Sequence, residues 1–569
     1  MERFQTYMQW SKQLPMVADS KFLFFIDSKT PLAQKLREKW LYQLAHSKDW
    51  VTYSKHYQNS TDLNLQCYAL NALYSQGKEQ EAKSQATALW LSGDSHPPAC
   101  NQLFNKLTTS NDFDEHLITQ RIALALEKYN IHLARHLLKQ YKQPRLQDAE
   151  TLTAIYLNPA HIAQLQPGEL HGDFYLYGLK RLVSLKKVDG AIRKWYEGKA
   201  RNVMNESQQQ LFLAHIALYM AMRNHPDAQL WFSRVKPAFY NDVLLDWQIR
   251  FALKNEQWNR VERLINHCHD KETPIWQYWL ARAVEAQGQH EKAKELYQQV
   301  AKTRNYYGFL ASLKLNQRFS FENEYPVSSM QTLQDYQPLT DEVKALYTSN
   351  QTAQASRLLN DFVLELSKND KSALAYWVAH VLQWHGKSLY LSNNEELNNQ
   401  LSLRFPLAYR DSVAQFSKNY RIPQEFIYAI IRQESTFRDD VISPAGAHGL
   451  MQVMPATAQA VAKQQNIPYI DKRQLFLAQK NINIGTAYLQ QLAKRFDRHP
   501  VLMAAAYNAG PRQVVYWLKN HPPKQIDVWI ETLPWRETRN YLKNVIAFYA
   551  VYQYRMQQQP DLSTFMKGF

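Results

Sequence analysis

The stretch Trp279–Val300 (WLARAVEAQGQHEKAKELYQQV) indicates the fold of most of the chain. Its residues Ala281, Gly288, Ala293 and Tyr297 occupy the small, turn, small and aromatic positions of a tetratricopeptide-like helical pair. In such a pair the small residues let neighbouring helices approach, and the aromatic ring fills the groove one turn later. The stretch therefore predicts two packed helices joined by a short turn.

The same alanine-to-aromatic step recurs at Ala191/Trp195 and Ala228/Phe232, and the three alanines are spaced by about one and two repeat lengths. Short polar breaks separate further helical segments, around Gly77, Asp189-Gly190, Asn224–Pro226 and Gly288. We therefore predict an irregular helical solenoid from about residue 10 to about residue 400, because stacked helical pairs form a curved array with an extended concave surface.

Length and residue pattern limit the number of domains and the class of fold. A chain of 569 residues is expected to form about two to four domains. Alternating runs of apolar and polar residues, which would indicate strands, are absent at convincing length, so we predict an all-α protein. No apolar run is long enough to span a membrane, and the first residues (MERFQTYMQW) lack the pattern of a signal peptide.

The net charge of +16, with an isoelectric point near 9.3, favours an anionic partner such as nucleic acid, acidic lipid or a carboxylate-bearing polymer. The sequence has no basic tail, no zinc-finger spacing and no RNA-recognition signature, which disfavours nucleic acid. The tract His267–His269 resembles a metal-ligand cluster, but adjacent residues on a helix point to different faces. We therefore predict neither a metal site nor a cofactor.

Glu434 is the residue whose setting suggests chemistry. It lies in Pro423–Ser435 (PQEFIYAIIRQES), a predicted helix that places Glu434 on the same face as Ile427, Ile430 and Ile431. A carboxyl group removed from water favours its protonated form near neutral pH, as a general acid requires. The small and turn-forming residues that follow are typical of a cleft wall.

Three motifs around Glu434 resemble those of lytic transglycosylases with the goose-type lysozyme fold. Glu434-Ser435 is followed by Ser443–Ala447 (SPAGA) and Gly449–Pro455 (GLMQVMP), which are similar to the first motif. The tract Ala506–Pro511 (AYNAGP) is similar to the second motif, and Glu531–Tyr541 (ETLPWRETRNY) resembles the C-terminal motif of the soluble members.

The resemblance implies an all-α architecture with a ring-like α-superhelix, a helical linker domain and a lysozyme-like catalytic domain. We place these domains at residues 1–319, 320–402 and 403–569. The polar, turn-rich tract Phe319–Pro338 marks the first boundary, and Leu391–Asn399 precedes the second.

The resemblance also implies an activity, which is cleavage of the β-1,4 bond between N-acetylmuramic acid and N-acetylglucosamine in peptidoglycan. Ordinary glycosidases use two carboxyl groups. This family uses one, because the C6 hydroxyl of muramic acid is the nucleophile and the product is a 1,6-anhydromuramoyl end. By this resemblance Glu434 is first the acid and then the base, and no cofactor is needed. A ring would restrict the approach of strands, so we expect exo-action.

Motif positions carry further expectations. The substrate-binding residues implied by the resemblance are Ser443, Gln452, Met454, Tyr507, Asn508 and Glu531. Tyr507 is expected to form a hydrogen bond near the catalytic carboxyl group, and Glu531 is expected on the opposite wall of the cleft. Met454 is equally compatible with a core position.

Other residues near the motifs are given structural roles. Glu537, Arg539 and Tyr541 are interpreted as an ion-pair and packing cluster rather than as ligand contacts. Asp439 and Asp440 are interpreted as a solvated loop, although the sequence leaves open a second catalytic carboxylate there.

The chain has three cysteines, Cys67, Cys100 and Cys268, so at most two can pair within it. The resemblance implies a single disulfide, Cys67–Cys100, in the superhelix.

The resemblance also implies glycan strands and muropeptides as partners and a periplasmic location, with the signal peptide removed. We expect a monomer, with other cell-wall enzymes as candidate partners. Two alternatives stay open: a hydrolytic muramidase on the same fold, and a helical scaffold with an inactive catalytic domain.

Overall fold

A computed structural model describes residues 2–15, 17–197, 199–520, 522 and 524–568. Within these ranges the chain is helical and has no β-strand; the only extended pairings are isolated bridges from His448 to Ile442 and to Val453. The prediction of an all-α fold is confirmed. The chain divides into two compact units, unit 1 (Met1–Met220 and Asp227–Tyr240) and unit 2 (Ala221–Pro226 and Asn241–Phe569).

Short helices joined by tight turns make up the first part of the chain. They are α1 (Glu2–Lys12), α2 (Ser20–Ile26), α3 (Pro31–Ser47), α4 (Trp50–His56), α5 (Leu63–Ser75), α6 (Glu79–Trp90), α7 (Asn101–Thr108), α8 (His116–Glu127), α9 (Ile131–Leu137), α10 (Leu146–Leu157), α11 (His171–Ser184), α12 (Val188–Tyr196), α13 (Lys199–Val203), α14 (Glu206–Met222) and α15 (Ala228–Arg234). Single 3-10 turns occur at Pro98–Cys100, Pro159–Gln164 and Pro237–Phe239.

Unit 2 contains the remaining helices. They are α16 (Asp242–Lys254), α17 (Trp258–Asn266), α18 (Pro274–Ala286), α19 (His290–Val300), α20 (Tyr306–Lys314), α21 (Gln337–Thr348), α22 (Thr352–Phe362), α23 (Lys368–His380), α24 (His385–Leu391), α25 (Leu401–Arg404), α26 (Arg410–Tyr420), α27 (Gln424–Glu434), α28 (Pro455–Gln465), α29 (Ala478–Arg495), α30 (Pro500–Ala509), α31 (Pro511–Asn520), α32 (Ile526–Thr532), α33 (Arg536–Arg555) and α34 (Ser563–Met566). Its 3-10 turns are Met330–Tyr336, Val363–Glu365, Glu395–Leu397 and Lys472–Phe476.

The repeated alanine-to-aromatic step is buried wherever it occurs. The side chains of Ala293 and Tyr297 are buried where α19 packs on α18. The steps in α12 and α15 are buried as well. Gly288 has a φ of +80°, which a residue with a side chain adopts only with strain, and it forms the turn between α18 and α19. The predicted helical pair is therefore present.

One predicted break lies at a different residue. Gly190 falls within the first turn of α12, and the chain instead turns at Lys186, which has a φ of 61°. The sequence boundaries at residues 319 and 402 both fall inside unit 2 and stay a prediction. Residues 317–329, in the predicted linker, contain no helix. They are nevertheless anchored, because Phe321 stacks on Tyr554 with ring centroids 4.5 Å apart.

In unit 1 a disulfide joins Cys67 of α5 to Cys100, the residue immediately before α7. Both residues are fully buried, and the pairing implied by the family resemblance is present. Cys268 is a buried free thiol. No described helix is both long and apolar enough to cross a membrane.

We expect loss of this disulfide to destabilise unit 1. Replacing both cysteines (Cys67→Ala with Cys100→Ala) should lower the free energy of unfolding by about 2–4 kcal/mol, because the unfolded chain regains the freedom that the cross-link removes. Denaturant unfolding measures the change, with Cys268→Ala as the control for losing a buried sulfur. Recovery of three free thiols from denatured, unreduced wild-type protein would contradict the bond.

Candidate active site

Glu434 is the last residue of α27, where the helix meets the loop that leads to α28. Ile427, Ile430 and Ile431 of the same helix are fully buried in unit 2, where α27 packs against α33. Burial raises the pKa of the Glu434 carboxyl group to about 7, and the negative charge of Glu537 adds to this effect. The C-terminal end of a helix carries partial negative charge, which also disfavours the carboxylate.

Tyr541 of α33 is the hydrogen-bond partner of the catalytic candidate. Its hydroxyl group donates to Glu434 Oε1 at 2.7 Å, which lowers the pKa of Glu434 and opposes part of the effect of burial. The sequence indicates only a packing role for Tyr541 and does not reveal this contact. A residue 107 positions further along the chain leaves no local spacing pattern by which to find it.

Tyr507 and Asn508 lie at the end of α30, and the charge of Glu434 acts on Tyr507. The Tyr507 hydroxyl donates to the Met451 backbone oxygen at 2.7 Å, while burial and the charge of Glu434 raise the pKa of Tyr507 well above its usual value. Asn508 is oriented by α33, because Thr538 Oγ1 donates to Asn508 Oδ1 at 2.8 Å. The substrate-binding role expected of both residues stays a prediction.

Ser443 begins a compact loop that precedes α28. Its Oγ accepts a hydrogen bond from the Ala447 N–H at 3.0 Å, and its backbone oxygen accepts one from the Gly446 N–H at 2.8 Å. A side chain at Gly449 would clash, since a Cβ there would lie 2.2 Å from the Leu475 oxygen. This position therefore requires glycine, which holds the loop close to the residues before α29.

Gln452 and Met454 lie at the far end of this loop. The Gln452 side chain donates to the backbone oxygens of Gly449 at 2.8 Å and Val441 at 3.2 Å, so its amide nitrogen braces the loop. Met454 is 40% exposed, so it belongs to the surface rather than to the core. An exposed thioether beside polar groups can pack against the face of a sugar.

Asn481 of α29 holds the loop in place, although the sequence analysis did not identify it. It is fully buried, and its Oδ1 accepts from the Met451 N–H at 2.8 Å. Its Nδ2 donates to the backbone oxygens of His448 at 2.9 Å and Leu475 at 2.7 Å. These three hydrogen bonds use three of the four bonding positions of the buried amide, and they hold the loop against α29.

The structure places Glu531 differently from the expected cleft wall. Glu531 is 1% exposed, and its carboxylate forms ion pairs with Lys543 at 2.8 Å and Arg250 at 3.2 Å. It also accepts hydrogen bonds from Tyr307 at 2.6 Å and Trp279 at 3.3 Å. A carboxylate surrounded in this way has no free side for a sugar.

Burial alone would raise the pKa of Glu531, but the Lys543 ammonium and the Arg250 guanidinium hold this pKa well below its usual range. Nearby, Asp527 of α32 accepts hydrogen bonds from Tyr278 at 2.7 Å and Arg282 at 2.9 Å. These two carboxylates attach α32 and α33 to helices α16, α18 and α20 of the same unit. Sequence spacing could not show this, because the partners lie more than 200 positions away.

The remaining acids near the motif divide into two groups. Asp439 and Asp440 lie on an exposed loop. Burial raises the pKa values of Tyr347 and Tyr409, and the charge of Asp439 adds to this effect. The carboxylate whose charge acts on Glu434 is instead Glu537, an exposed residue in the first turn of α33. The solvated-loop interpretation agrees with this placement of Asp439 and Asp440.

Unit 2 thus brings together one carboxyl group that is about half protonated at neutral pH, a hydroxyl group bonded to it, and a loop of polar and small residues. Such a group can donate a proton and then take one back without a large change in free energy at either stage. In the described part of the chain, no group of His, Cys, Asp and Glu residues could hold a metal ion.

Family comparisons agree with this arrangement. Residues 411–530 match the transglycosylase SLT domain, and residues 532–560 match the soluble lytic transglycosylase helical domain. The chain is 30% identical over 544 residues to the soluble lytic murein transglycosylase of Escherichia coli K12, covering 94% of this chain and 84% of that protein. It is 28% identical over 560 residues to the Salmonella typhimurium protein of that description, covering 96% of this chain and 86% of that protein.

Solved structures show the same similarity. An inactive glutamate-to-glutamine mutant of the lytic transglycosylase Slt from Pseudomonas aeruginosa matches with a TM-score of 0.83 at 27% identity, covering 100% of this chain and 94% of that one. The 70 kDa soluble lytic transglycosylase of Escherichia coli matches with a TM-score of 0.75 at 27% identity, covering 99% of this chain and 93% of that one.

The all-α fold and the match to the transglycosylase SLT domain define a glycan-cleaving enzyme of the lytic transglycosylase class. The chain belongs to the soluble lytic murein transglycosylase family and acts on peptidoglycan.

We expect Glu537→Gln and Tyr541→Phe to shift the pH profile of kcat/KM in opposite directions. In the wild type, kcat/KM should fall as pH rises through about 7, because the protonated form of Glu434 is required. Glu537→Gln removes a negative charge that raises the pKa, so the fall should move to lower pH. Tyr541→Phe removes a hydrogen bond that lowers the pKa, so the fall should move to higher pH with about a tenfold to hundredfold loss of rate.

The profiles are measured on soluble muropeptides, with Asp440→Asn as the control for losing an exposed carboxylate that does not act on Glu434. Shifts of the same sign in the two variants, or a wild-type profile without an alkaline fall, would be inconsistent with the assigned causes of the pKa.

We expect Glu531→Gln to destabilise unit 2 by about 3–5 kcal/mol, because it leaves the buried Lys543 ammonium without its counter-ion and Arg250 with only the partly exposed Asp246. Since the pKa of Glu531 is depressed in the folded state, its stabilisation is complete above the unfolded pKa and is lost as pH falls through the folded pKa. The difference from wild type should therefore be largest at pH 7 and smaller near pH 3.

Urea unfolding at the two pH values measures this effect. The matched control is Glu256→Gln, which breaks the solvent-exposed pair with Lys524 (3.1 Å) and should cost less than about 1 kcal/mol. Equal losses of unfolding free energy in the two variants would show that the buried Glu531 network stabilises the fold no more than an exposed ion pair does.

Proposed function

We propose that this enzyme cleaves the β-1,4 bond between N-acetylmuramic acid and N-acetylglucosamine without water and leaves a 1,6-anhydromuramoyl end. One carboxyl group, that of Glu434, serves as acid and then as base. The observation that carries the proposal is the burial of Glu434, which raises its pKa to about 7.

In the first half of the reaction, Glu434 gives its proton to the glycosidic oxygen as the bond to C1 of muramic acid breaks. A carboxyl group with an ordinary pKa near 4.3 would be almost fully ionised at neutral pH and would seldom hold that proton. The raised pKa keeps about half of the enzyme molecules in the required state.

In the second half, the C6 hydroxyl group of muramic acid attacks C1 and loses its proton to the Glu434 carboxylate. This step forms the 1,6-anhydro bond and restores the acid, so the protons balance and no water is consumed. Tyr541 supports it, because its hydroxyl group donates to Glu434 Oε1 at 2.7 Å and so stabilises the carboxylate while it exists.

Around this group we assign sugar-binding roles to the residues that the motifs single out and that retain accessible surface: Ser443, Gln452, Met454 and Asn508. Gln452 uses its amide nitrogen on the loop, and we assign its Oε1 as an acceptor for a sugar hydroxyl or acetamido N–H. Tyr507 orients Met451 of the same loop. We assign Glu531 to the framework, given its burial.

A hydrolytic muramidase would need a second carboxylate or an activated water. Glu537 is the only acid whose charge is found to act on Glu434 among the described residues, and it lies exposed in the first turn of α33. Glu537→Gln therefore tests this alternative directly, because loss of a nucleophile or base stops turnover, whereas loss of a neighbouring charge shifts a pKa.

Product analysis of digested sacculi tests the proposal. Anhydromuramoyl products are lighter than reducing-end products by one water, about 18 Da, and the wild type should give the lighter species. Glu434→Gln should reduce turnover by at least about a thousandfold while leaving the unfolding transition in place. Reducing ends alone would defeat the proposal in favour of hydrolysis, and full activity of Glu434→Gln would assign the acid to another residue.

The nature of the substrate indicates where the enzyme acts and what it binds. Peptidoglycan lies outside the inner membrane, so we propose a periplasmic location, with glycan strands and muropeptides as partners. We also propose exo-action by a monomer, because the ring expected from the sequence would restrict the approach of long strands. A solved structure similar to this chain is a complex of the 70-kDa soluble lytic transglycosylase with bulgecin A.

A further inference from the structure

Unit 1 contains a basic, aromatic pocket that the proposed reaction does not use. This Arg121 pocket has a volume of about 690 Å³ and lies among α6, α7, α8 and α9. It is lined by Trp90, Ser95, His96, Asn101, Phe104, Asn105, Thr108, Arg121, His132, Leu133, His136 and Gln140. Its size suits a ligand of several residues rather than a single ion.

Arg121 forms the floor of the pocket and is 5% exposed. Its guanidinium group lies over the Trp90 ring, 4.6 Å from the centroid, and within 5.9 Å of the Phe104 ring centroid. Its Nε donates to the Ser92 backbone oxygen at 3.2 Å, and one terminal nitrogen donates to His96 Nδ1 at 2.8 Å. The side chain is thus held rigidly at the bottom of an open pocket.

This buried cation has no anionic partner among the described residues. None of the residues that line the pocket is acidic, and no described carboxylate forms an ion pair with Arg121. Asp94 contacts Arg121 only through its backbone oxygen, at 3.5 Å, and its carboxylate pairs with Lys128 instead. Burial lowers the pKa of the Arg121 guanidinium to about 10, which leaves it charged at neutral pH.

His96 bonds to Arg121 but does not balance its positive charge. Its Nε2 lies 2.9 Å from the Leu89 backbone oxygen, to which it must donate, so its Nδ1 is free to accept from Arg121. The ring is therefore neutral. On the rim, His132, His136, Asn105 and Gln140 are exposed and can turn further donors toward a ligand.

A buried charge without a counter-ion costs free energy, which an anion bound from solution would recover. We propose that the Arg121 pocket is a binding site for a carboxylate-bearing peptide, with the carboxylate on Arg121 and the peptide groups on the rim. Nε and one terminal nitrogen of Arg121 are held by Ser92, Asp94 and His96, so the other terminal nitrogen is the one that would donate to the carboxylate. The aromatic walls would cover the apolar part of the peptide.

The source of such a peptide follows from the proposed function, on which this inference rests. The stem peptides of the glycan carry carboxylates, so a second site for them would hold the polymer on unit 1 independently of the sugar-binding cleft. The disulfide supports the pocket, because Cys100 immediately precedes Asn101, the first residue of α7 and part of the lining. Less conformational freedom is then lost when a ligand binds.

The test uses the full chain carrying Glu434→Gln, so that no probe is cleaved. The probes are the stem peptide freed from its sugars by an amidase, the same peptide with its carboxyl groups amidated, and inorganic phosphate. Calorimetric titration at low salt should show the free peptide binding to one site, about tenfold more weakly once its carboxyl groups are amidated.

Two exposed residues of α7 provide a matched pair of variants. Asn105→Asp adds one negative charge on the pocket rim and should weaken peptide binding about tenfold, whereas Gln102→Glu adds the same charge on α7 outside the lining and should change it less than about twofold. Arg121→Gln should abolish binding, and its unfolding transition shows whether it folds. The Asn105→Asp comparison stands even if Arg121→Gln does not fold.

Equal affinity of the charged and amidated peptides, or equal effects of Asn105→Asp and Gln102→Glu, would overturn the proposal. Phosphate binding as tightly as the peptide would also overturn it, in favour of a simple anion site. Wild-type product analysis keeps the two proposals apart: anhydro products without peptide binding defeat only the Arg121 pocket, and peptide binding without anhydro products defeats only the reaction.

Discussion

The active site depends on one carboxyl group that is largely removed from water, at the end of the helix α27 whose apolar face packs into the core of unit 2. The buried isoleucines of α27 fix the position of Glu434, and desolvation raises its pKa to about 7. The hydrogen bond from Tyr541 limits that rise. Glu434 is therefore balanced between its two protonation states, which a single group acting as acid and then as base requires.

This balance needs α33 to be held in place, because α33 carries both Tyr541 and Glu537. Two residues beyond Tyr541, Lys543 pairs with the buried Glu531 carboxylate, which also binds Arg250 of α16. Removing one member of such a network leaves the other charges buried without a partner, which costs a large free energy of unfolding. The net contribution of the intact network to stability is nevertheless modest, because burying its charges is itself costly. Helices α16, α18 and α20 thus hold α33 in place, and with it the Tyr541 hydroxyl group that bonds to Glu434.

The sequence predicted what depends on local pattern: the all-α fold, the helical pair at α18 and α19, and the apolar face of α27. Motif resemblance added Tyr507, Asn508 and the loop from Ser443 to Met454. It could not find the contacts of Tyr541 and Asn481 with the site, or the partners of Glu531 on α16, α18 and α20, because these contacts join positions from 30 to 281 residues apart. It also expected Glu531 in the cleft, since a motif position does not reveal whether a carboxylate faces solvent or two buried cations.

Direct titration of Glu434 tests the central claim. In protein labelled with carbon-13 at glutamate side-chain carboxyl groups, the resonance absent from Glu434→Gln identifies this residue, and its shift can be followed from pH 3 to pH 9. We expect a midpoint near pH 7 in the wild type, because burial raises the pKa to about 7. A midpoint between about 4 and 5, the usual range of an exposed glutamic acid, would contradict the account.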